Sequence, residues 1–210
     1  MEKLWIDKKL REEEMVFLNK AITYEEQRNN NEDWKENKAG NVSRCNLIDK
    51  DNWFYETVIK KQTEKMFYYN WNNYRKYHIE KEESPPEFEM FSFWVNYQKK
   101  HEHVPIHNHN SLYSFVVFMK IPTHWEEQHV QPKNLNSHVV THPSASDFGF
   151  LLVQGQRVEV NHFSLSSGDE GRMLFFPGWL QHIVYPFYDC EEERITISGN
   201  IQERNNGKNY

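Results

Sequence analysis

Residues 88–97 read Phe-Glu-Met-Phe-Ser-Phe-Trp-Val-Asn-Tyr. At this segment the spacing of the side chains along the sequence changes from a helical pattern to the alternating pattern of a strand. Side chains of a strand point to opposite faces in turn, so the segment predicts a strand flanked on both sides by bulky residues. Further strands are predicted over 112–121, 148–153, 157–163, 172–176, 180–185 and 194–201, with a hairpin turn at Gly155. Several short strands separated by turn signals favour a β-sandwich or barrel.

The residues before this segment are typical of helices. A first helix is predicted over 7–24, with apolar residues on one side and Glu12, Glu13 and Glu14 facing water. Asp51 is a suitable N-cap for a second helix, in which Glu56 can pair with Lys60. Its apolar positions at helical spacing are Phe54, Val58, Ile59 and Met66.

We therefore expect a mainly β protein with N-terminal helices, in one structural domain. The helical region would cover residues 1–86 and pack on a β region over 87–204, with a polar tail over 205–210. Within the helical region, residues 29–41 are polar and end near Gly40, so they predict a loop. Residues 80–86 carry charges and two prolines, which is typical of a connector.

The composition argues against several classes of protein. The chain has 210 residues with a net charge of −6, and it has no long basic run for general nucleic-acid binding. No apolar stretch approaches the roughly 20 residues of a membrane span, and the charged N-terminus lacks the features of a secretory signal. With only Cys45 and Cys190, far apart, we expect a reduced cytoplasmic protein. Asparagine makes up about a tenth of the chain, which suggests an AT-rich, virus-encoded gene expressed in the host cytoplasm.

A histidine-rich tract precedes the second predicted strand. His107 and His109 are two positions apart, so in an extended segment both side chains point to the same side and can grip one metal ion. His182, on a distant predicted strand, is the natural third ligand. Three ligands on one face leave open positions, as in catalytic rather than structural sites, although such a tract can also be a solvated loop.

A polar face is predicted on the last strand. Arg194, Thr196 and Ser198 alternate onto one side of it. A guanidinium with hydroxyl groups beside it can hold a carboxylate by charge-assisted hydrogen bonds. The same alternation is also found in ordinary strands whose polar face meets water.

Taken in order, these motifs resemble the 2-oxoglutarate/Fe(II)-dependent oxygenase superfamily, in particular a branch from marine bacteria and their phages. The matching residues run from about Phe91 to Ile201. They are Trp94-Val95-Asn96, His107-Asn108-His109, Ser114 to Phe118 before Pro122, Leu174-Phe175-Phe176-Pro177, His182, Val184, Pro186, and Glu193 to Ser198 with Asn200. Each motif is short and weak alone; the ordered set is more specific.

The resemblance implies a double-stranded β-helix, a jelly-roll barrel with Fe(II) at one open end. It implies that His107, His109 and His182 bind the metal. It also implies that 2-oxoglutarate binds the metal through its keto-acid end and Arg194 through its far carboxylate. Thr196 would assist that carboxylate, Ser198 shares its strand face, and Asn96 would line the pocket.

Three positions depart from the superfamily's pattern, and one of them is Asn110, which stands where proline is usual after the second histidine. Phe115 stands where glycine is usual, which predicts a bulkier cavity wall. More important, His109 stands where the common motif has Asp or Glu. Three neutral imidazoles would leave the full charge on the metal. Alternatively, Asp147 or Glu159 would supply an anionic ligand.

The first functional hypothesis is a hydroxylase that uses Fe(II), 2-oxoglutarate, O2 and an unidentified substrate. Trp94, Phe118 and Phe176 would line its pocket or serve as plain core, and residues 122–147 would close over the substrate as a lid. A second hypothesis is a three-histidine cupin-like dioxygenase that does not use 2-oxoglutarate. A third is a barrel without catalysis that acts as a binding or interaction module.

Overall fold

The computed structural model describes residues 4–28, 41–75, 86–131 and 143–204. Its helices are α1 (Glu12–Arg28), α2 (Lys60–Arg75) and the short α3 (Trp125–His129). A 3-10 turn (Lys50–Asn52) and a π-helical turn (Tyr55–Ile59) precede α2, and a second 3-10 turn covers Ser167–Asp169. The strands are β1 (Ile6–Lys9), β2 (Ser43–Asn46), β3 (Phe88–Gln98), β4 (Val104–His107), β5 (Tyr113–Lys120), β6 (Phe148–Gln154), β7 (Arg157–Phe163), β8 (Arg172–Pro177), β9 (His182–Val184) and β10 (Arg194–Glu203).

The strands of the described residues form two antiparallel sheets. The larger sheet has six strands in the order β1-β8-β5-β10-β3-β2, and the smaller has four in the order β4-β9-β6-β7. Between β3 and β10 the chain alternates between them: β3, β5, β8 and β10 join the larger sheet, while β4, β6, β7 and β9 join the smaller. This arrangement is the predicted double-stranded β-helix, or jelly roll.

Strand β5 shows how the large sheet separates two apolar layers. It is buried on both faces, and its side chains alternate between the layers. Phe115 and Val117 pack with residues of α1 and of the π-helical turn, such as Leu18 and Ile59. Val116 and Phe118 face the small sheet, where they meet residues such as Phe148. The large sheet thus has helices on one face and the small sheet on the other.

The N-terminal region is less helical than its sequence pattern predicts. Residues 6–9 are not helical but form β1, which pairs with the edge of β8 so that Ile6 lies opposite Phe175. Glu14, expected to face water, is only 1% exposed because Lys8 and Arg11 form ion pairs with its carboxylate. Local periodicity missed both features because each depends on contacts outside the helix.

The predicted cap of the second helix was also wrong. Asp51 has a left-handed backbone (φ 58°) inside the 3-10 turn and does not cap the helix. Asp49 takes that role, since its carboxylate accepts hydrogen bonds from the backbone N–H groups of Phe54 (2.8 Å) and Tyr55 (2.9 Å). The predicted Glu56–Lys60 pair is present at 2.7 Å. The predicted loop over 29–41 and connector over 80–86 lie almost entirely outside the described residues.

Candidate active site

Three imidazoles converge where β4 pairs with β9. His107 ends β4, His182 begins β9, and the two are opposite each other in the small sheet. The ring centroid of His107 lies 4.1 Å from that of His182, and the His109 centroid lies 5.3 and 5.1 Å from these two. One ligand nitrogen from each ring lies within 4.8 Å of the others. Small ring rotations would therefore let one ion bind all three.

Backbone carbonyl groups orient two of these rings. His107 Nδ1 is 2.8 Å from the Pro105 carbonyl oxygen, and His182 Nδ1 is 3.0 Å from that of Leu180. A carbonyl oxygen only accepts, so each Nδ1 carries the proton and donates it. The Nε2 lone pair of each ring is then free to bind a metal, as in metal sites whose second ring nitrogen is held by the protein.

Gly178 fixes the position of His109. The backbone N–H of His109 donates to the Gly178 carbonyl oxygen at 2.9 Å. A Cβ atom on Gly178 would lie 2.1 Å from the carbonyl oxygen of Ser111, so only glycine lets the two segments come this close. The turn between β8 and β9 is thereby tied to the segment that carries His109.

Burial keeps the three imidazoles neutral. It lowers the pKa of His182 to about 3, with a further contribution from the nearby His107. It lowers the pKa of His109 to about 4, and the charges of His107 and Arg44 act in the same direction. The pKa of His107 is also below its ordinary value because of burial. Neutral imidazole is the form that ligates metals.

Arg194 is buried in the same cavity, at 1% exposure. Its Nη2 atom donates to the Ser146 carbonyl oxygen at 2.7 Å and to the Ser146 hydroxyl, and Nη1 donates to Gln98 Oε1 at 3.4 Å. The guanidinium also packs over the ring of Phe187, 5.3 Å from its centroid. Its Nε has no hydrogen-bond partner among the described residues. Burial lowers the pKa of Arg194 to about 10, so it remains charged near neutral pH.

Ser146, which accepts hydrogen bonds from Arg194, has a strained backbone conformation. Its φ is 71°, in the left-handed region that few non-glycine residues adopt. Its hydroxyl also lies 2.7 Å from that of Thr123, so both ends of the segment between β5 and β6 meet beside the guanidinium. Sequence reasoning missed Ser146; its only signal is its place at the end of a long irregular segment.

A row of polar side chains follows the large sheet from Arg194 towards the histidines. Thr196 lies opposite Asn96, and Ser198 lies opposite Trp94. The Asn96 amide donates to the hydroxyls of Thr196 (3.2 Å) and Ser198 (3.4 Å), and its oxygen accepts from the Trp94 indole at 3.0 Å. The Trp94 ring centroid is 5.9 Å from that of His109. The predicted polar face of β10 therefore lines the cavity and does not face bulk water.

These groups enclose one cavity of about 210 Å³ between the two sheets. Its polar lining includes all seven residues singled out from the sequence: Asn96, His107, His109, His182, Arg194, Thr196 and Ser198. Trp94, Phe118 and Phe176 line it too, together with Phe148 and Phe115. Phe115 packs its ring against Phe54, 5.9 Å between centroids, on the helix side of the sheet.

The alternative anionic ligands do not join the three imidazoles. Asp147 is fully buried but contacts His129 (2.9 Å) and His162 (3.1 Å). Glu159 is exposed on β7. Among the described residues, the group of possible metal ligands around His109 contains only the three histidines.

The match to known families agrees with this geometry. The 2OG-Fe(II) oxygenase family model 2OG-FeII_Oxy_5 matches residues 92–200, which is just over half of the chain. The chain belongs to the 2OG-Fe(II) oxygenase family. The oxygenase is thus an oxidoreductase that uses Fe(II) and 2-oxoglutarate, together with O2 and a further substrate. No curated protein matches the sequence.

Solved structures share the fold of the oxygenase at low identity. A viral collagen prolyl hydroxylase from Paramecium bursaria Chlorella virus-1, in complex with 2OG, is 14% identical with a TM-score of 0.50, over 95% of this chain and 96% of that one. A Pseudomonas putida prolyl-4-hydroxylase is 11% identical with a TM-score of 0.55, over 96% and 93%. The carbocyclase SnoK from nogalamycin biosynthesis is 9% identical with a TM-score of 0.58, over 96% and 80%.

The donor groups of the oxygenase fit the family's metal and cosubstrate. Imidazole nitrogen is a suitable ligand for iron, and three protein ligands leave positions open for other groups. The unpaired Nε of the buried Arg194 is a donor directed at no protein acceptor in the described ranges, as expected of a group that awaits an anion. No helix in the described part of the chain is both long and apolar enough to cross a membrane.

Proposed function

We propose that the oxygenase is a hydroxylase in which His107, His109 and His182 bind Fe(II) and Arg194 anchors 2-oxoglutarate. The observation that carries this proposal is the convergence of three neutral imidazoles in one cavity with a buried, incompletely paired arginine. A rigid pair of strands, β4 and β9, supplies two of the imidazoles and would limit their movement when a metal binds.

His109 makes this a site without a protein carboxylate on the metal. Three neutral ligands leave the whole +2 charge of the ion to be balanced by bound anions. The dianionic 2-oxoglutarate supplies that balance, so cosubstrate and metal should bind with positive coupling. The chelating end of 2-oxoglutarate would then replace part of what a carboxylate ligand provides elsewhere in the superfamily.

Arg194 is suited to hold the other end of 2-oxoglutarate. Ser198, beside the histidine end, and Arg194 are four residues apart on β10, or about 13 Å along a strand. Thr196 lies between them, and its hydroxyl and that of Ser198 are oriented by Asn96. A short dicarboxylate can therefore extend along this row from the metal towards the guanidinium.

When bound, Fe(II) supplies the oxygen chemistry that couples decarboxylation of 2-oxoglutarate to oxidation of the substrate. The chain itself binds and orients the reactants and excludes water. Phe118, Phe148 and Phe176 line the cavity and are at most 2% exposed. The cavity is smaller than the roughly 300–1,000 Å³ typical of drug-sized ligands. Only the reacting end of a substrate would therefore fit beside the cosubstrate.

An anaerobic titration with Fe(II) and 2-oxoglutarate tests this assignment. We expect a weak visible charge-transfer band in the wild-type protein, and formation of succinate on admission of O2. The Arg194→Met variant should need much more 2-oxoglutarate to reach the same band. Absence of the band, together with unchanged 2-oxoglutarate binding in Arg194→Met, would contradict the proposal.

We also propose that the oxygenase acts in the cytoplasm, which would be that of the host cell if the gene is viral. We further propose that its substrate is not duplex nucleic acid. The sequence has only two cysteines, Cys45 and Cys190, which lie far apart in the chain, and such low cysteine usage favours a reducing compartment. The net charge of −6 opposes binding to a phosphate backbone.

A further inference from the structure

Arg44 is a second arginine that lines the cavity, and the proposed function gives it no role. It lies on β2, the edge strand of the large sheet, opposite Asn96 of β3. Asn96 in turn lies opposite Thr196 of β10, so Arg44 extends the polar row on the cavity face. Arg44 and Arg194 both line the cavity, but Arg44 is near the histidines and Arg194 is farther along the strands.

The Trp94 ring connects Arg44 to the metal site. The guanidinium carbon of Arg44 lies 5.7 Å from the centroid of this ring, and the ring centroid of His109 lies 5.9 Å from it. The positive charge of Arg44 contributes to the lowered pKa of His109, as expected of two groups that share one side of the cavity. An aromatic face beside a guanidinium limits the directions from which the arginine can bind a ligand.

Arg44 has no anionic partner in the part of the chain that the structure describes. No carboxylate there lies within ion-pair distance of its guanidinium, while Arg11, Arg28, Arg172 and Arg204 each have one. The Nε atom of Arg44 is buried and has no hydrogen-bond acceptor among the described residues. A half-buried guanidinium with a shielded, unused donor is costly unless a ligand completes it.

The net charge of the cavity also favours an anionic ligand beside Arg44. With neutral histidines, the metal ion (+2), Arg194 (+1) and Arg44 (+1) together outweigh the two negative charges of 2-oxoglutarate. An excess of positive charge in a largely apolar cavity attracts an anion from solution. The substitution of His109 for the usual acid makes this excess one unit larger than in a site with a carboxylate ligand.

We propose that Arg44 binds an anionic group of the substrate, a carboxylate or a phosphate, with the Trp94 ring packed beside it. The substrate is then an acidic molecule whose reacting carbon lies between its anionic group and the metal. This inference rests on the proposed function, because it takes the metal and 2-oxoglutarate to occupy the histidine and Arg194 positions.

Matched pairs of small probes test the inference on protein loaded with Ni(II) and 2-oxoglutarate. Benzoate and benzamide have nearly the same shape and differ in charge, and phenyl phosphate provides a phosphate group on the same ring. Calorimetric titration at constant ionic strength should show benzoate or phenyl phosphate binding at least tenfold more tightly than benzamide. That ratio corresponds to about 1.4 kcal/mol. The stronger of the two anions identifies the acidic group.

Variants test whether the preference for anionic probes over benzamide comes from Arg44. In Arg44→Met, the preferred anion should bind no more than about twofold more tightly than benzamide. The affinity of this variant for 2-oxoglutarate should stay within about twofold of wild type. Arg44→Lys keeps the charge but loses the planar fork, so it should give an intermediate ratio. Arg157→Met, at an exposed position on β7, is the matched control and should behave as wild type.

The outcomes separate the two proposals. Failure of wild-type protein to bind 2-oxoglutarate would contradict the proposed function. Equal binding of benzoate and benzamide by protein that does bind 2-oxoglutarate would overturn the Arg44 assignment alone. A loss of 2-oxoglutarate affinity in Arg44→Met would overturn it too, because Arg44 would then belong to the cosubstrate. If Arg44→Met does not fold, the wild-type charge preference and Arg44→Lys still decide the question.

Discussion

The two ends of the cavity are built in different ways. At the histidine end, paired strands place His107 and His182, and main-chain carbonyl groups orient their rings. At the other end, Arg194 lies on a strand but is held by Ser146, which comes from an irregular segment. The geometry of the histidine end therefore depends on the backbone of the barrel strands. The geometry of the arginine end depends on Ser146, which lies outside the strands. We therefore expect substitutions at the arginine end to weaken cosubstrate binding without weakening metal binding in the absence of cosubstrate.

The largest expected effect is at the histidine end. His182→Ala removes the most buried of the three imidazoles, so the affinity for Ni(II) or Fe(II) should fall by at least about 100-fold. Calorimetric titration of metal-free protein measures it. His103→Ala, an exposed histidine of the same tract, should bind metal like wild type. Metal affinity retained in His182→Ala would place the ion elsewhere.

The next effect is at the arginine end. Arg194→Met keeps most of the buried apolar volume but removes the charge-assisted hydrogen bonds to the cosubstrate. Binding of 2-oxoglutarate should weaken by about 2–3 kcal/mol, roughly 30- to 150-fold. The affinity for Ni(II) alone should stay within about twofold. A parallel loss of metal and 2-oxoglutarate binding would show that the two ends are not independent.

A smaller effect tests whether Ser146 positions Arg194. Ser146→Ala removes the hydroxyl but keeps the carbonyl acceptor, so the KM for 2-oxoglutarate should rise about fivefold with kcat nearly unchanged. Ser146→Gly also lacks the hydroxyl but relieves the left-handed backbone. Equal KM values in the two variants assign the effect to the hydroxyl. A normal KM in Ser146→Gly would show that the hydroxyl is not needed to position Arg194.

The smallest effect is a pH dependence confined to the histidine end. The folded protein holds His109 and His182 with pKa values of about 4 and 3, below the ordinary 6.5. Between those values and pH 6.5 the unfolded chain binds more protons, so the free energy of unfolding of metal-free protein should fall as the pH drops from 6.5 towards 4. Urea unfolding at pH 7, 6 and 5 measures this slope. His182→Gln should have a shallower slope, because it removes one of the two imidazoles whose pKa is most lowered in the folded protein.

Sequence reasoning identified the parts of the site that belong to regular strands. The alternation of Arg194, Thr196 and Ser198 and the spacing of His107 and His109 are local patterns, and a strand converts them directly into shared faces. The hairpin around Gly155 was confirmed for the same reason, since Gly155 has a φ of 61° and joins β6 to β7.

Features that depend on distant contacts were not predictable in this way. Strand β1 forms because it pairs with β8, more than 160 residues away in the sequence. Arg44 enters the cavity only because β2 extends the large sheet beside β3. Asp49 caps the π-helical turn that leads into α2, from beyond a left-handed turn, so the cap lies two residues before the predicted Asp51. None of these contacts leaves a periodic signal in its own segment.

The hydrogen bond between Thr123 and Ser146 has a consequence in polymer terms. It closes a loop of about two dozen residues at its base. The entropy of closing such a loop changes slowly with length, by only about 0.6 kcal/mol for each doubling. We expect insertions or deletions between Gln131 and Pro143 to be tolerated, provided that Gln128 keeps its hydrogen bonds to Tyr188 and Arg194 keeps its partner. The length of this part of the chain can therefore change without loss of the hydrogen bonds that hold Arg194.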